Sequence, residues 1–428
     1  MKVEDFLKSF RTHPLYGDFG KKFYSPNSPV THLKNATDSF LAIVLASILE
    51  EQWRKTLIVF PSEDEALFFI SDIEQFLNKN QVIYIPAVLE EKNGVLSKNN
   101  HLIQERTEAL NKLLNESKKQ IAITHAAAIL EPTPSGNRLK KSSIQLKVGD
   151  IADFKFLTEY LIEHEFEREE FVFEPGQFAL RGGIIDVFSF SGKEPVRVEF
   201  FGDEVESIRT FDPISQLSTS KLDFFQILPK MESQKGEEFN ICDYLSPNSV
   251  VLTKNTQEFE EISTYLNKKQ EEKEEIKLLN YSYLIEKFKD FSQFEFGKRF
   301  SYRSGKDLDF QIEPITDFRK NFTLFIDTLE KNQKAGIHSL ILSESAKQLE
   351  RLHSILEEKK ASHLYEPVLS GLSSGFLESS LKIACYTDHQ VFGGHYSHKY
   401  KKRYSKSAAL SLRELKNLKP GDYVTHIV

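Results

Sequence analysis

The stretch from Phe173 to Asp212, FEPGQFALRGGIIDVFSFSGKEPVRVEFFGDEVESIRTFD, constrains the chain most, because strand and turn signals follow one another through it without a break. Phe178, Leu180, Ile184, Ile185, Val187 and Phe188 surround Arg181, Gly182 and Gly183, so the first strand is expected to carry a glycine pair at a bulge or a close backbone approach. Ser191-Gly192-Lys193-Glu194-Pro195 then reverses the chain. Val196, Val198 and Phe200 alternate with Arg197, Glu199 and Phe201, the period of a half-buried strand, until Gly202-Asp203 turns it again. Val205 to Phe211 supplies a third strand. The pattern predicts a β-meander with one apolar face and one charged face.

On either side of the meander, apolar strands alternate with helices. Asp38 to Glu50 is expected as an apolar helix, Thr56 to Ser62 as a buried strand, and EDEALFFISDIEQFL as a helix capped by Ser62. Val82 to Ala87 is a strand, His101 to Leu114 a helix, and Gln120 to Leu130 a strand running into a further apolar segment. The turn-rich run from Pro132 to Lys141 marks a boundary. Asp150 or Asp153 caps the helix that follows, with Phe156, Leu157, Tyr160 and Leu161 on one face. Lys221 to Gln234 continues as a strand and exit loop. From Phe239 a helical turn, the strand VVLT and a helix restore the α/β pattern, with Asn240 to about Tyr283 returning to the first sheet; Lys268 to Lys277 extends as an exposed charged helix. From about Asp307 a β-α-β-α-β order suggests a small doubly wound unit.

The expected fold class is therefore multidomain α/β. A nucleotide-hydrolase-like α/β sheet is interrupted by a small α+β domain, the β-meander, and a second small α/β domain follows. The expected boundaries are 1–125, 126–218, 219–300, 301–400 and a tail, 401–428.

In an open α/β sheet a nucleotide sits where the first strand meets the first helix, on a glycine-rich loop. The equivalent place is His32 to Ser39, and it contains no glycine. Lys34, Asn35, Thr37, Asp38 and Ser39 are thus read as a degenerate nucleotide loop, in which Asp38 would repel a phosphate. The Gly-Lys pairs at Gly20, Gly192, Gly297 and Gly305 lack the preceding glycine and the following hydroxyl of a phosphate loop. The acidic pairs Asp64-Glu65 and Asp203-Glu204 are read as helix-start and turn residues. Asp388 and His389 are neighbours on an expected strand and would point to opposite faces, so no catalytic pair is assigned to them. No catalytic residue, cofactor or metal is expected in this chain, and it is not expected to be an enzyme.

Composition narrows the setting. Cys242 and Cys385 are the only cysteines in 428 residues. That fits a reducing cytoplasm and excludes a cysteine-built metal site. No apolar run approaches the roughly 18 residues that span a bilayer, so no membrane partner is expected. The formal net charge of −7 argues against a chain-wide grip on phosphates. The basic run His398 to Lys406, HKYKKRYSK, is read as a solvated linker.

The run GQFALRGGIIDVF…VEFFGDEVESIRTFDP resembles the module shared by the excision-repair protein UvrB and the bacterial transcription-repair coupling factors. UvrB keeps an intact phosphate loop, whereas the corresponding N-terminal region of the coupling factors has lost it, so the glycine-free loop favours the second family. The resemblance implies that the meander domain binds the damage-recognition protein UvrA through an arginine-rich face. In the R-x-R-G turn of UvrB the first arginine is replaced here by Ala179, while Arg181 remains. Arg168 is a second candidate for that contact and Phe188 a candidate anchor. LRELKNLKPGDYVTHIV is similar to the start of the family's RNA-polymerase-interacting domain, beginning near Leu415. The resemblance further implies an ATP-driven DNA translocase as parent, contacting DNA through a motor beyond Val428, with this portion as an adaptor. Two rivals are a UvrB-like ATPase with an atypical nucleotide loop and direct DNA binding through His398 to Lys406.

Overall fold

The computed structural model describes residues 1–25, 29–92, 95–114, 119–232, 239–270, 277–302, 306–394 and 396. The basic run from His398 and the segment near Leu415 lie outside the described residues.

Seven parallel strands form the first sheet, in the order Lys306–Asp309, Thr31–Lys34, Ser292–Gly297, Val250–Lys254, Thr56–Phe60, Ile121–His125, Val82–Tyr84. The strands are short, and the inner ones Thr56–Phe60, Ile121–His125 and Val250–Lys254 are mostly apolar and buried, as strands covered on both faces must be, whereas the edge strand Lys306–Asp309 is charged. The chain leaves the sheet after Ile121–His125 and comes back into its middle with Val250–Lys254 and Ser292–Gly297. The mixed α/β class expected from the alternating pattern is what the molecule adopts.

Asp38–Glu51 is buried on all sides, every residue from Ser39 to Leu49 being inside. An all-apolar helix needs cover all round. One side lies on the first sheet, and the other is covered by the N-terminal helices Val3–Phe10 and Tyr16–Tyr24 and by the third sheet. Phe40 sits at the junction, 6.0 Å from the Phe10 ring, 5.2 Å from Phe310 and 5.6 Å from Phe376.

The meander unit is a six-stranded sheet ordered Ser218–Leu222, Glu204–Phe211, Val196–Phe201, Ile184–Val187, Gln177–Arg181, Glu167–Arg168. All its pairs are antiparallel except the last. Helix Phe154–Glu163 covers the apolar face with Leu157, Tyr160 and Leu161, and Asp153 accepts from Lys155 N and Phe156 N at its start. Phe156, placed with them from the sequence, is 60% exposed instead; one residue before Leu157, it is turned about 100° off the buried stripe.

Three further local expectations change. Gly182 and Gly183 are the two-residue turn of a hairpin between Gln177–Arg181 and Ile184–Val187, not a bulge within one strand. Gly182 takes φ +61, and a Cβ on Gly183 would lie 2.8 Å from Phe200 O, so the close backbone approach is present. The run from Pro132 to Lys141 contains a helix, Gly136–Lys141, capped by Ser135. Lys306–Asp309 pairs in parallel with Thr31–Lys34, so the third sheet begins at Ile312 and not at Asp307.

That third sheet is mixed, ordered Ile312–Pro314, Phe376–Glu378, Ile383–Thr387, His338–Ser343, Glu366–Leu369, with the last three parallel. Asp388 and His389 open a helical turn, Asp388–Phe392, rather than sitting on a strand. Asp388 accepts from Ser343 Oγ at 2.6 Å, and the His389 ring reaches Ser373 O at 3.1 Å, so both serve packing of that sheet's end. Among the described residues no helix is long and apolar enough to cross a membrane, and no group of three or more His, Cys, Asp or Glu is placed to hold a metal ion.

Candidate protein-docking face

Strand alternation puts Val196, Val198 and Phe200 toward the helix and Arg197, Glu199 and Phe201 on the opposite face of the meander. Register then builds rows across that face. Ala179, Asp186, Arg197 and Arg209 are in line, and the next row runs Arg181, Ile184, Glu199 and Ser207.

Asp186 is 1% exposed and cannot remain a carboxylate there without a partner. Arg197 meets it with two parallel hydrogen bonds, and Arg181 Nη1 stands 3.8 Å from Asp186 Oδ2. One anion faces two cations, so the cluster carries a surplus positive charge. Arg181 is the more exposed cation, its side chain being 38% accessible. Its guanidinium lies 4.5 Å over the Phe171 ring and donates to Glu170 O at 2.7 Å. Those contacts hold the planar fork at the surface while leaving N–H donors for a further carboxylate. Arg209 pairs with Glu199 at 2.7 Å, which also accepts from Ser207 Oγ.

The other sequence candidates fall differently. Phe188 is 1% exposed in a small core with Val172, Ala179 and Phe211, so it does not present its ring to a partner. Arg197 covers that core from outside, 4.8 Å over Phe211. Phe188 is corrected to a packing residue. Ala179, which stands where UvrB has an arginine, is buried directly opposite Asp186. Arg168 lies on the edge strand, in register with Phe178. Phe178 points into the helix-side core, so the register separates Arg168 from the Arg181 face. Arg168 is exposed, and among the described residues it makes no ion pair. Arg197, Glu199 and Arg209 were not singled out from the sequence, although the charged phase of their strands was the available signal.

The degenerate loop is tied down by its own chain. Lys34 pairs with Asp307, and Asn35, at φ +52, donates to Asp309 Oδ1 at 2.8 Å. Thr37 Oγ1 caps the helix by accepting from Phe40 N. Asp38 takes Lys254 Nζ at 2.6 Å, and Lys254 also reaches Glu65 Oε2 at 2.5 Å. Burial works against the Lys254 charge, but the two carboxylates outweigh it and push its pKa up. The positive end of the helix is thus already met by a side-chain carboxylate and that carboxylate's own counter-cation.

Ser39 points away from this loop, donating to Asp72 Oδ2 at 2.6 Å. Asp72 is fully buried and also accepts Ser373 N at 2.5 Å and Ser373 Oγ at 2.7 Å from the third unit. Burial pushes its carboxyl up to about 7, against the lowering effect of these donors.

Residues 144–232 match the family model described as the UvrB interaction domain. The chain is 27% identical over 200 residues to the transcription-repair-coupling factor of Bacillus subtilis, which covers 47% of this chain and 17% of that protein. Against the same factor from Rickettsia prowazekii it is 32% identical over 158 residues, 37% of this chain and 14% of the relative. The UvrABC system protein B of Thermosipho africanus is 27% identical over 222 residues, 48% of this chain and 33% of the relative. The chain therefore spans a third or less of the length of these relatives. The shared module and both sets of relatives support a likeness to the N-terminal region of a transcription-repair-coupling factor.

Proposed function

We propose that this chain is a non-catalytic adaptor that recruits UvrA through the charged face of the meander. The observation that carries the proposal is the sharing of Asp186 by Arg197 and Arg181, which leaves an oriented, half-exposed guanidinium in surplus of its internal counter-charge. A partner carboxylate would complete that arrangement with a charge-assisted pair, and the geometry suits a planar, bidentate contact. The location within a UvrB interaction domain supports UvrA as the partner.

The adaptor reading also rests on the Asp38, Lys254 and Glu65 cluster, which fills with paired charges the place where a related sheet would cradle phosphate. On this reading, a longer parent supplies the polymerase-binding domain, and an ATP-driven motor supplies the grip on DNA. Gel filtration of the chain mixed with purified UvrA tests the proposal. Co-elution at micromolar concentration is expected, and separate elution at tens of micromolar would overturn it.

A further inference from the structure

Among the described residues, twelve large apolar side chains stand out from the surface, and eight of them lie between Val148 and Phe224. The meander unit therefore exposes more large apolar side chains than the two flanking α/β units, which hold the other four, Phe239, Tyr265, Leu324 and Leu369. The most prominent are Ile151 and Phe201, each 78% exposed. They are neighbours: Phe201 faces Glu204 across the Gly202-Asp203 turn, and Ile151 bridges Glu204 from the other side. Directly opposed residues of antiparallel strands project on the same side of a sheet. Ile151, Glu204 and Phe201 thus stand three abreast, on the face that carries Arg197 and Glu199.

The chemistry around this trio is one-sided. Glu204 belongs to it, Asp150, Asp203 and Glu206 flank its members along the chain, and neither 148–152 nor 200–207 contains a basic residue. Asp203, Glu204 and Glu206 are exposed. The trio also adjoins the arginine end of the face. Phe200 N donates to Gly183 O at 2.8 Å, which fastens this strand end to the hairpin that presents Arg181. Phe201 is two residues along the strand from Glu199, about 7 Å, and Glu199 is in the same row as Arg181. One standard interface of about 800 Å² per partner covers both ends.

We propose that Ile151, Phe201 and Glu204 form a second contact of the same docking face, taking an apolar side chain of the partner that has a basic residue beside it. The face is then bipolar: its arginine end reads a carboxylate, and its acidic, apolar end reads the reverse charge. Two opposite charges at a set spacing fix the direction in which a partner docks, which a single patch does not. This inference rests on the proposed UvrA contact and adds the chemistry of a second element on UvrA.

Titration of UvrA into the full chain tests it, with wild type, Arg181→Glu, the double variant Ile151→Asp with Phe201→Asp, the milder Ile151→Ser with Phe201→Ser, and Glu204→Lys. The high exposure of both apolar side chains predicts unchanged melting for the double variants, and the serine pair serves if the aspartates perturb the strand end. Both double variants are expected to weaken binding by about tenfold or more. Glu204→Lys is expected to weaken it several-fold, by an amount that shrinks as salt is raised. Wild-type affinity in both double variants, with binding lost in Arg181→Glu, would overturn the second contact and leave the UvrA reading standing. Absence of binding by the wild type would overturn both.

Discussion

Arg197 meets Asp186 side by side, Nε lying 2.7 Å from Oδ1 and Nη2 2.8 Å from Oδ2. The two are eleven residues apart on adjacent strands and directly opposite in register. Because Asp186 is almost wholly buried, the pair does more than a surface ion pair, whose worth is commonly under about 1 kcal/mol. Removing Arg197 leaves a buried charge with only the more distant Arg181 to answer it. Arg197→Ala is expected to cost about 3 kcal/mol of stability. Urea unfolding followed by circular dichroism checks this, and in a double-mutant cycle with Asp186→Ala the two losses should not add.

Phe188 and Arg181 separate packing from docking. Phe188→Ala empties part of the core shared with Val172, Ala179 and Phe211 and is expected to destabilise the protein by about 3 kcal/mol. Its effect on UvrA binding should vanish at temperatures where the variant remains folded. Melting curves paired with binding titrations at two temperatures distinguish the cases.

Asp72 makes the seam between the first and third units sensitive to pH. Its carboxyl titrates near 7 in the folded protein, against about 3.9 in an unfolded chain. Between those values the folded state binds more protons, so stability falls as pH rises through the window, and the loss is complete above about 7. Asp72→Asn keeps an acceptor for Ser373 N and cannot ionise. It is expected to flatten the pH dependence between about 4 and 7 and to raise stability at pH 8, by at most roughly 4 kcal/mol. Urea midpoints at pH 5 and pH 8 measure it; an unchanged slope in the variant would remove Asp72 as the cause.

Lys254 bridges Asp38 and Glu65 where a phosphate-binding sheet would need a free cation and open backbone. Calorimetric titration of the chain with ATP and magnesium is expected to give no saturable heat at micromolar protein. Saturable binding would instead favour the ATPase reading of residues 34 to 39.

Much of this architecture was legible in the sequence, since it is written in local periods. The alternation of Val196, Val198 and Phe200 with charged neighbours specified the meander strand and its two faces, and the glycine-free stretch after Thr31–Lys34 was visible at once. Contacts between distant residues were not legible. The Lys254 bridge to Asp38 joins positions 216 residues apart, and nothing near Asp307 signals that its strand pairs with Thr31. The glycine pair was ambiguous because Gly182 and Gly183 serve a bulge and a two-residue hairpin turn equally well. Phe188 could not be placed by residue type: alternation set Phe201 on the charged side of its strand, but Phe188 follows the end of one, and only the fold shows that it lies in the small core that Arg197 covers.

The most direct measurement is the affinity of purified UvrA for the full chain against its Arg181→Glu variant, with melting recorded for both. Arg181 is half-exposed on the rim of the Asp186 cluster, so the variant should melt near the wild type while losing affinity by about tenfold or more. Equal affinities with equal melting would contradict the assignment of the meander's charged face as the docking surface.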